Sequence, residues 1–225
     1  MKAVILQHEI ETPPGSVVAW LQQHQVPFHI CCLFNEDSLP RVDEFDWLII
    51  CGGSMNVDQE SLFPWLREEK KLIAEALKQK KKVVGLCLGG QLLAETLGAE
   101  VGPMNFSEVG WMDVTLTAEL STAAAANSIK VFQWHSYCFK EVPGAVSLAT
   151  NAAWKNQAFC FQNIAAGFQF HPEATADWVK NCSQDKNLPQ GPFCQNSAQM
   201  QAGLIYQAPM QNFFFNFLDH FFLRS

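Results

Sequence analysis

The chain has 225 residues, 48% of them hydrophobic, and a formal net charge of −7 from 15 basic and 22 acidic residues. This length suffices for one large domain with a substantial core, and the acidic balance disfavours nucleic acid and anionic membranes as partners. No apolar run reaches the roughly 20 residues that a membrane-spanning helix needs.

The eight cysteines lack paired Cys-x-x-Cys spacing, which indicates neither a zinc site nor a redox motif. The N-terminal apolar run is too short for a signal peptide. We therefore expect a cytoplasmic protein with reduced thiols and no bound metal or other cofactor.

The first half of the chain alternates short apolar runs with amphipathic helical patterns. Strands are predicted at 3–6, 27–33, 45–51 and 83–86, and helices at 16–23, 65–78 and from the end of the last strand to Gly98. Strands and helices that alternate at this spacing indicate a mostly parallel sheet with helices on both faces.

After Gly98 the pattern changes to strands separated by turn residues. Strands are predicted at 109–117, 129–134, 145–150, 157–161 and 164–170, and a short helix at 174–181. These strands suggest a mixed or antiparallel extension of the parallel sheet. The run 123–126 is compatible with a helical turn or a loop.

The last part of the chain is predicted to contain one irregular segment and one helix. Residues 182–207 are polar and contain Pro and Gly, so they are expected to form an irregular surface excursion. Residues 210–223 carry six Phe and Leu side chains at helical spacing and predict a C-terminal helix that docks on the core. No linker divides the chain, so residues 1–225 are predicted to form a single domain.

Cys87 lies where a predicted strand passes directly into a predicted helix. Gly85 and Gly89 flank it two residues on either side, where larger side chains would collide in a sharp turn. The same geometry underlies the serine elbow Gly-x-Ser-x-Gly. The N-terminus of the following helix favours a thiolate, so Cys87 is the candidate nucleophile. The alternative is an ordinary buried cysteine.

A thiolate nucleophile needs a base and a group that orients the base. His171 ends an apolar strand in the motif Phe-Gln-Phe-His-Pro-Glu, and Glu173 follows two residues later. Functional groups collect at the carboxyl ends of parallel strands, where Cys87 also lies. Backbone N–H groups of Gly52-Gly53 and of Leu88 are candidate donors to a developing oxyanion.

These motifs resemble the class I glutamine amidotransferase family, most closely its branch similar to the amidotransferase domain of GMP synthase. The resemblance covers residues 1–180. It is carried by Gly-Leu-Cys-Leu-Gly-Gly-Gln at 85–91 and Gln-Phe-His-Pro-Glu at 169–173, with support from 52–58, 64–69 and Trp-His-Ser at 134–136.

The resemblance implies a flavodoxin-like fold, with a mostly parallel sheet, helices on both faces and a smaller antiparallel extension. It also implies a triad of Cys87, His171 and Glu173 that hydrolyses the side-chain amide of glutamine through a γ-glutamyl thioester and releases ammonia. Gly53 and Leu88 would form the oxyanion hole.

By the same resemblance, Gln91, Ser136 and Tyr137 would hold the amino-acid end of glutamine. His135 would belong to the wall of the substrate pocket and not to the triad. The chain contains no Ser-Gly-Gly-x-Asp-Ser loop, so no nucleotide site is expected, and the ammonia acceptor would be an unidentified synthetase.

Two alternative functions remain open from the sequence. The same triad would serve a hydrolase of γ-glutamyl peptides or conjugates. A regulatory or binding protein with a vestigial triad belongs to a different class, and the presence of all three triad residues argues against it.

Overall fold

The structure is a computed structural model that describes residues 1–223. The strands are β1 (Ala3–Gln7), β2 (Phe28–Cys32), β3 (Trp47–Ile50), β4 (Lys82–Leu86), β5 (Val101–Leu116), β6 (Ser128–Phe139), β7 (Val146–Thr150), β8 (Ala158–Phe161) and β9 (Ala165–Phe168). The helices are α1 (Ser16–Gln23), α2 (Trp65–Lys78), α3 (Leu88–Thr96), α4 (Ala118–Ala124), α5 (Ala176–Ser183), α6 (Ser197–Ala202) and α7 (Gln207–Leu218). Short 3₁₀ turns occupy Leu33–Asn35, Val42–Glu44 and Gly203–Tyr206.

The strands form one mixed sheet in the order β2-β1-β3-β4-β9-β8-β7-β5-β6. The first five are mutually parallel, and the last four continue the sheet in antiparallel fashion. This arrangement confirms the predicted α/β class, with a parallel core and an antiparallel extension. It also places the carboxyl ends of β3, β4 and β9 side by side.

Both faces of the parallel core are covered by helices, as the continuous apolar strands predict. Alternate residues of β1 face opposite sides. Ala3 and Ile5 pack in a cluster with α1 and α7, whereas Val4 and Leu6 pack in a cluster with α2 and α3. The two clusters therefore bury both faces of the parallel strands.

The strand β5 is longer than predicted and begins at Val101 instead of 109. This stretch contains Gly102 and Pro103, and both residue types are disfavoured in a regular strand. The register of β5 against β6 shifts between Pro103 and Glu108. The run 123–126 contains both alternatives: α4 ends at Ala124, and Ala125 follows it in a left-handed conformation.

The segment 182–207 is more ordered than the predicted irregular excursion, and that expectation was partly wrong. Backbone hydrogen bonds join it to β5: Val109 N–H donates to Phe193 O, and Gln195 N–H donates to Val109 O. It also contains α6, which begins at a capping box formed by Asn196 and Gln199.

The C-terminal helix begins at Gln207, earlier than the predicted 210, and its last turn is a π-helical turn over Asp219–Leu223. Its phenylalanines dock on the core as expected, with Phe213 and Phe214 fully buried. No helix within residues 1–223 combines the length and hydropathy that crossing a bilayer requires.

Candidate active site

The strand-to-helix turn at Cys87 has the geometry of a nucleophile elbow. Cys87 adopts φ 49° and ψ −106°, and its N–H donates to Phe168 O at 2.8 Å. A Cβ on Gly85 would lie 2.3 Å from Gly89 O, and one on Gly89 would lie 2.2 Å from Ile50 O. Close backbone approach therefore requires both glycines, as the sequence predicted.

His171 and Glu173 form a buried pair at the end of β9. Nδ1 of His171 lies 2.8 Å from Oε1 of Glu173, and both side chains are 2% exposed. Burial lowers the pKa of His171, but the interactions with Glu173 and Cys87 together raise it to about 10. The ring packs edge-on against Trp178, with 4.7 Å between ring centroids, which limits its movement.

The turn that carries Glu173 packs against the start of α1. Ser16 N–H donates to Glu173 O at 2.9 Å. Gly15 has φ +53°, and a Cβ there would lie 2.2 Å from Glu173 O. The backbone at the start of the first helix therefore fixes the backbone position of Glu173.

The Gly52-Gly53 loop after β3 is oriented by a buried histidine that the sequence analysis did not identify. The carbonyl oxygen of Gly52 accepts hydrogen bonds from His8 Nδ1 at 2.8 Å and from Thr12 Oγ1 at 3.2 Å. The Gly52–Gly53 peptide is trans, so the N–H of Gly53 points away from His8. A Cβ on Gly52 would lie 2.8 Å from Cε1 of His171, so this loop lies directly beside the His171 ring.

His8 is itself paired with a buried carboxylate. Its Nε2 lies 3.1 Å from Oε1 of Glu69, which is 61 positions away in the chain, and its ring stacks on Trp65. Burial lowers the pKa of His8, but the charge and hydrogen bond of Glu69, followed by the bond to Gly52, raise it above its ordinary value. The protonated ring donates from both nitrogens.

A cavity of about 260 Å³ opens on one side of Cys87. All four residues that the sequence predicted for substrate binding line it: Gln91, His135, Ser136 and Tyr137. Gly53 lines it as well, whereas Leu88 is buried at the first position of α3.

The wall of this cavity is held by a buried polar network. Gln91 Nε2 donates to Tyr137 O at 3.0 Å and faces Gln169 Oε1 at 3.4 Å. His135 lies with Nδ1 2.9 Å from Tyr137 O and Nε2 3.2 Å from the buried Glu108. Both nitrogens of His135 therefore face acceptors other than Cys87.

Gln169 and Glu108 are site residues that the sequence analysis missed. Gln169 Nε2 lies 4.0 Å from Cys87 Sγ. The sequence offered one signal for Gln169: it is a polar residue between two phenylalanines of a predicted apolar strand. Glu108 gave no such signal, because its partners lie far away in the chain: His135 on β6 and Gln157 just before β8.

A second, larger cavity of about 770 Å³ opens on the other side of Cys87. It shares Gly53, Ser54, Cys87 and Trp134 with the smaller cavity. His171 lines the larger cavity and is not part of the lining of the smaller one. Cys87 thus lies where the two cavities meet.

Among the side chains that the structure describes, no three His, Cys, Asp or Glu groups are arranged to hold a metal ion. The eight cysteines, including Cys87, are free thiols.

The fold and this site define an α/β protein with a cysteine elbow beside a buried His–Glu pair. The chain belongs to the class-I glutamine amidotransferase family, whose sequence model matches residues 21–180.

Relatives and solved structures agree with this assignment. The chain is 29% identical to the putative glutamine amidotransferase-like protein YfeJ of Salmonella typhimurium, over 97% of this chain and 96% of the relative. It is 30% identical to one subunit of the glutamine-hydrolysing GMP synthase of Ignicoccus hospitalis, over 60% and 70% of the two chains. The crystal structure of a glutamine amido transferase from Methylobacillus flagellatus superimposes with a TM-score of 0.89 at 26% identity, over 96% of this chain and 91% of that one.

Proposed function

We propose that this protein hydrolyses the side-chain amide of glutamine through a thioester on Cys87 and releases ammonia. The observation that carries the proposal is the position of Cys87, on an elbow next to the His171–Glu173 pair and at the junction of two cavities. The family assignment supports the same chemistry.

In the acylation step, the Cys87 thiolate attacks the γ-carbonyl carbon of glutamine and forms a C–S bond. The negative charge that develops on the carbonyl oxygen is stabilised by the N–H groups of Gly53 and Leu88. Glu173 holds Nδ1 of His171, which leaves Nε2 to protonate the departing nitrogen as the C–N bond breaks.

In the deacylation step, water attacks the thioester carbonyl carbon and gives a proton to Nε2 of His171. The second tetrahedral intermediate expels the Cys87 thiolate, and glutamate is released. The imidazolium and the thiolate are then both restored. The buried Glu173 stabilises the imidazolium in each half of the cycle.

The γ-glutamyl group is assigned to the smaller cavity. Its lining by Gln91, Ser136 and Tyr137 supports this assignment, since these residues offer amide, hydroxyl and backbone groups to an amino acid. His135 acts by holding the Tyr137 backbone, so His135→Ala is expected to raise KM. His171→Ala is expected to abolish thioester formation, and the opposite pattern would contradict these roles.

The first test is release of ammonia and glutamate from glutamine by the purified protein, with Cys87→Ala as the control. We expect release that depends on Cys87. Equal release of ammonia by the two proteins would refute the proposal. It would also be refuted if neither protein released ammonia and a γ-glutamyl electrophile did not alkylate Cys87 in the wild-type protein.

The ammonia acceptor is proposed to be a separate synthetase, because the relatives include individual subunits of glutamine-hydrolysing GMP synthases. We also infer a cytoplasmic location from the eight free thiols. A second candidate, hydrolysis of a γ-glutamyl conjugate by the same triad, is favoured by one observation, the size of the larger cavity.

A further inference from the structure

The two cavities at Cys87 are assigned to the two halves of an amide substrate by the position of His171. In any reaction that passes through a Cys87 thioester, the imidazole protonates the leaving nitrogen, so this nitrogen must lie on the His171 side. His171 lines the larger cavity. The leaving group therefore occupies the larger cavity and the γ-glutamyl group the smaller one.

The larger cavity is far bigger than ammonia needs. Its volume is about 770 Å³, whereas a small molecule such as water takes a share of only about 30 Å³ in the liquid. The smaller cavity, at about 260 Å³, is the one of amino-acid size. This difference points to a leaving group with several heavy atoms.

The lining of the larger cavity is acidic and aromatic. Within the described residues it contains no Lys or Arg and four carboxylates: Glu9, Glu11, Asp177 and Asp185. Asp177 forms an exposed ion pair with Lys180, and Glu9 accepts hydrogen bonds from Ser54 and Thr12, whereas Glu11 and Asp185 lie exposed at the rim.

Apolar surface lies beside these carboxylates. Trp134, Trp178, Ile10 and Pro13 line the same cavity. Aromatic faces next to carboxylates suit a methylene chain that ends in an ammonium group. A leaving group that carries a carboxylate would instead meet like-charged carboxylates, and the described lining contains no Lys or Arg side chain to pair with it.

We propose that the preferred substrate is a γ-glutamyl amide of an alkylamine that carries a second, protonated amino group. This inference rests on the proposed function, since it uses the same nucleophile and acid. The Cys87 thiolate displaces the amine from the γ-carbonyl carbon, the nitrogen takes the proton from His171, and water completes hydrolysis to glutamate and a diamine.

The test compares kcat/KM for glutamine and for three γ-glutamyl amides of equal chain length. The amines are 1,4-diaminobutane (cationic), n-butylamine (neutral) and 4-aminobutanoate (anionic). We expect the cationic amide to exceed the neutral one by about tenfold, and the anionic amide to be the poorest. The preference should shrink in 1 M salt, where screening extends to about 3 Å.

A pair of matched double variants assigns the preference to this cavity. Glu11→Gln with Asp185→Asn removes two rim charges, and we expect the ratio of cationic to neutral kcat/KM to fall towards one. Glu36→Gln with Asp113→Asn removes two exposed charges that do not line the cavity, and the ratio should stay at its wild-type value.

The outcomes separate this inference from the proposed function. Cys87-dependent hydrolysis of glutamine, without a cationic preference among the three amides or with an anionic one, overturns the inference and leaves the proposed function standing. Calorimetry of the same amides with Cys87→Ala reports binding without turnover. Binding with the cationic preference but no hydrolysis by the wild-type protein would refute the proposed catalysis and retain the cavity assignment.

Discussion

The substitution Gly52→Ala tests whether the loop after β3 sets the position of the His171 ring. A Cβ at Gly52 would lie 2.8 Å from Cε1 of His171 and 3.6 Å from Cβ of Cys87. Ordinary contact begins at 3.4 Å, so loop and ring must separate by about 0.6 Å. Glu173 and Trp178 restrain the ring through the Nδ1 hydrogen bond and an edge-on contact, so the strain falls on the geometry of the catalytic groups.

We expect Gly52→Ala to lower kcat by about 10- to 100-fold, because misplacement of a catalytic group by about 1 Å costs on the order of 100-fold. The free energy of unfolding should fall by about 1–3 kcal/mol, as for other overpacked sites. The assay is ammonia release, with urea unfolding measured in parallel. The rate of Cys87 alkylation by iodoacetamide gives a readout that does not depend on turnover.

Gly102→Ala is the matched control, because a Cβ at Gly102 would meet no atom within 4 Å. This variant should keep the wild-type kcat and alkylation rate. A Gly52→Ala protein that is folded and keeps its kcat within twofold would refute the reasoning about the loop.

Three further outcomes are expected from the buried His–Glu pairs. Glu173→Gln should lower kcat by about 10²- to 10⁴-fold with little change in KM, measured by ammonia release, because the imidazolium loses its partner. Glu69→Gln should lower kcat through the His8 bond to Gly52 and cost about 2 kcal/mol in urea unfolding; an unchanged kcat would show that His8 does not position this loop. The raised pKa of His171 contributes stability that is complete below about pH 6.5 and is lost as the pH rises through about 10. Urea unfolding between pH 6 and 10.5 should show this decline in the free energy of unfolding. An equal decline in Glu173→Gln would show that the His171–Glu173 pair is not its source.

The local features of the site were predictable from the sequence because they depend on short stretches of chain. The elbow at Cys87 follows from two glycines and an apolar strand, and α2 was predicted with its observed bounds from its periodicity. The pairing of His171 with Glu173 follows from a separation of two residues.

The supporting groups were not predictable, because they meet only through long-range packing. His8 and Glu69 are brought together by β1 and α2, and Glu108 meets His135 across the β5–β6 pair. The sequence around a buried polar residue does not identify the residue with which it pairs in the fold. The order of segment 182–207 was not predicted for a related reason: its pairing with β5 uses backbone groups that any residue provides.

The contacts that shape the elbow have a consequence for biosynthesis. The Cys87 N–H is bonded to Phe168 O, and Gly89 and Gly90 pack against the backbones of Ile50 and Phe168. The elbow therefore closes only after β9 has left the ribosome and paired with β4. We expect Cys87 to behave as an ordinary thiol in the nascent chain, so that the growing polypeptide is not exposed to its own reactive group before the domain is complete.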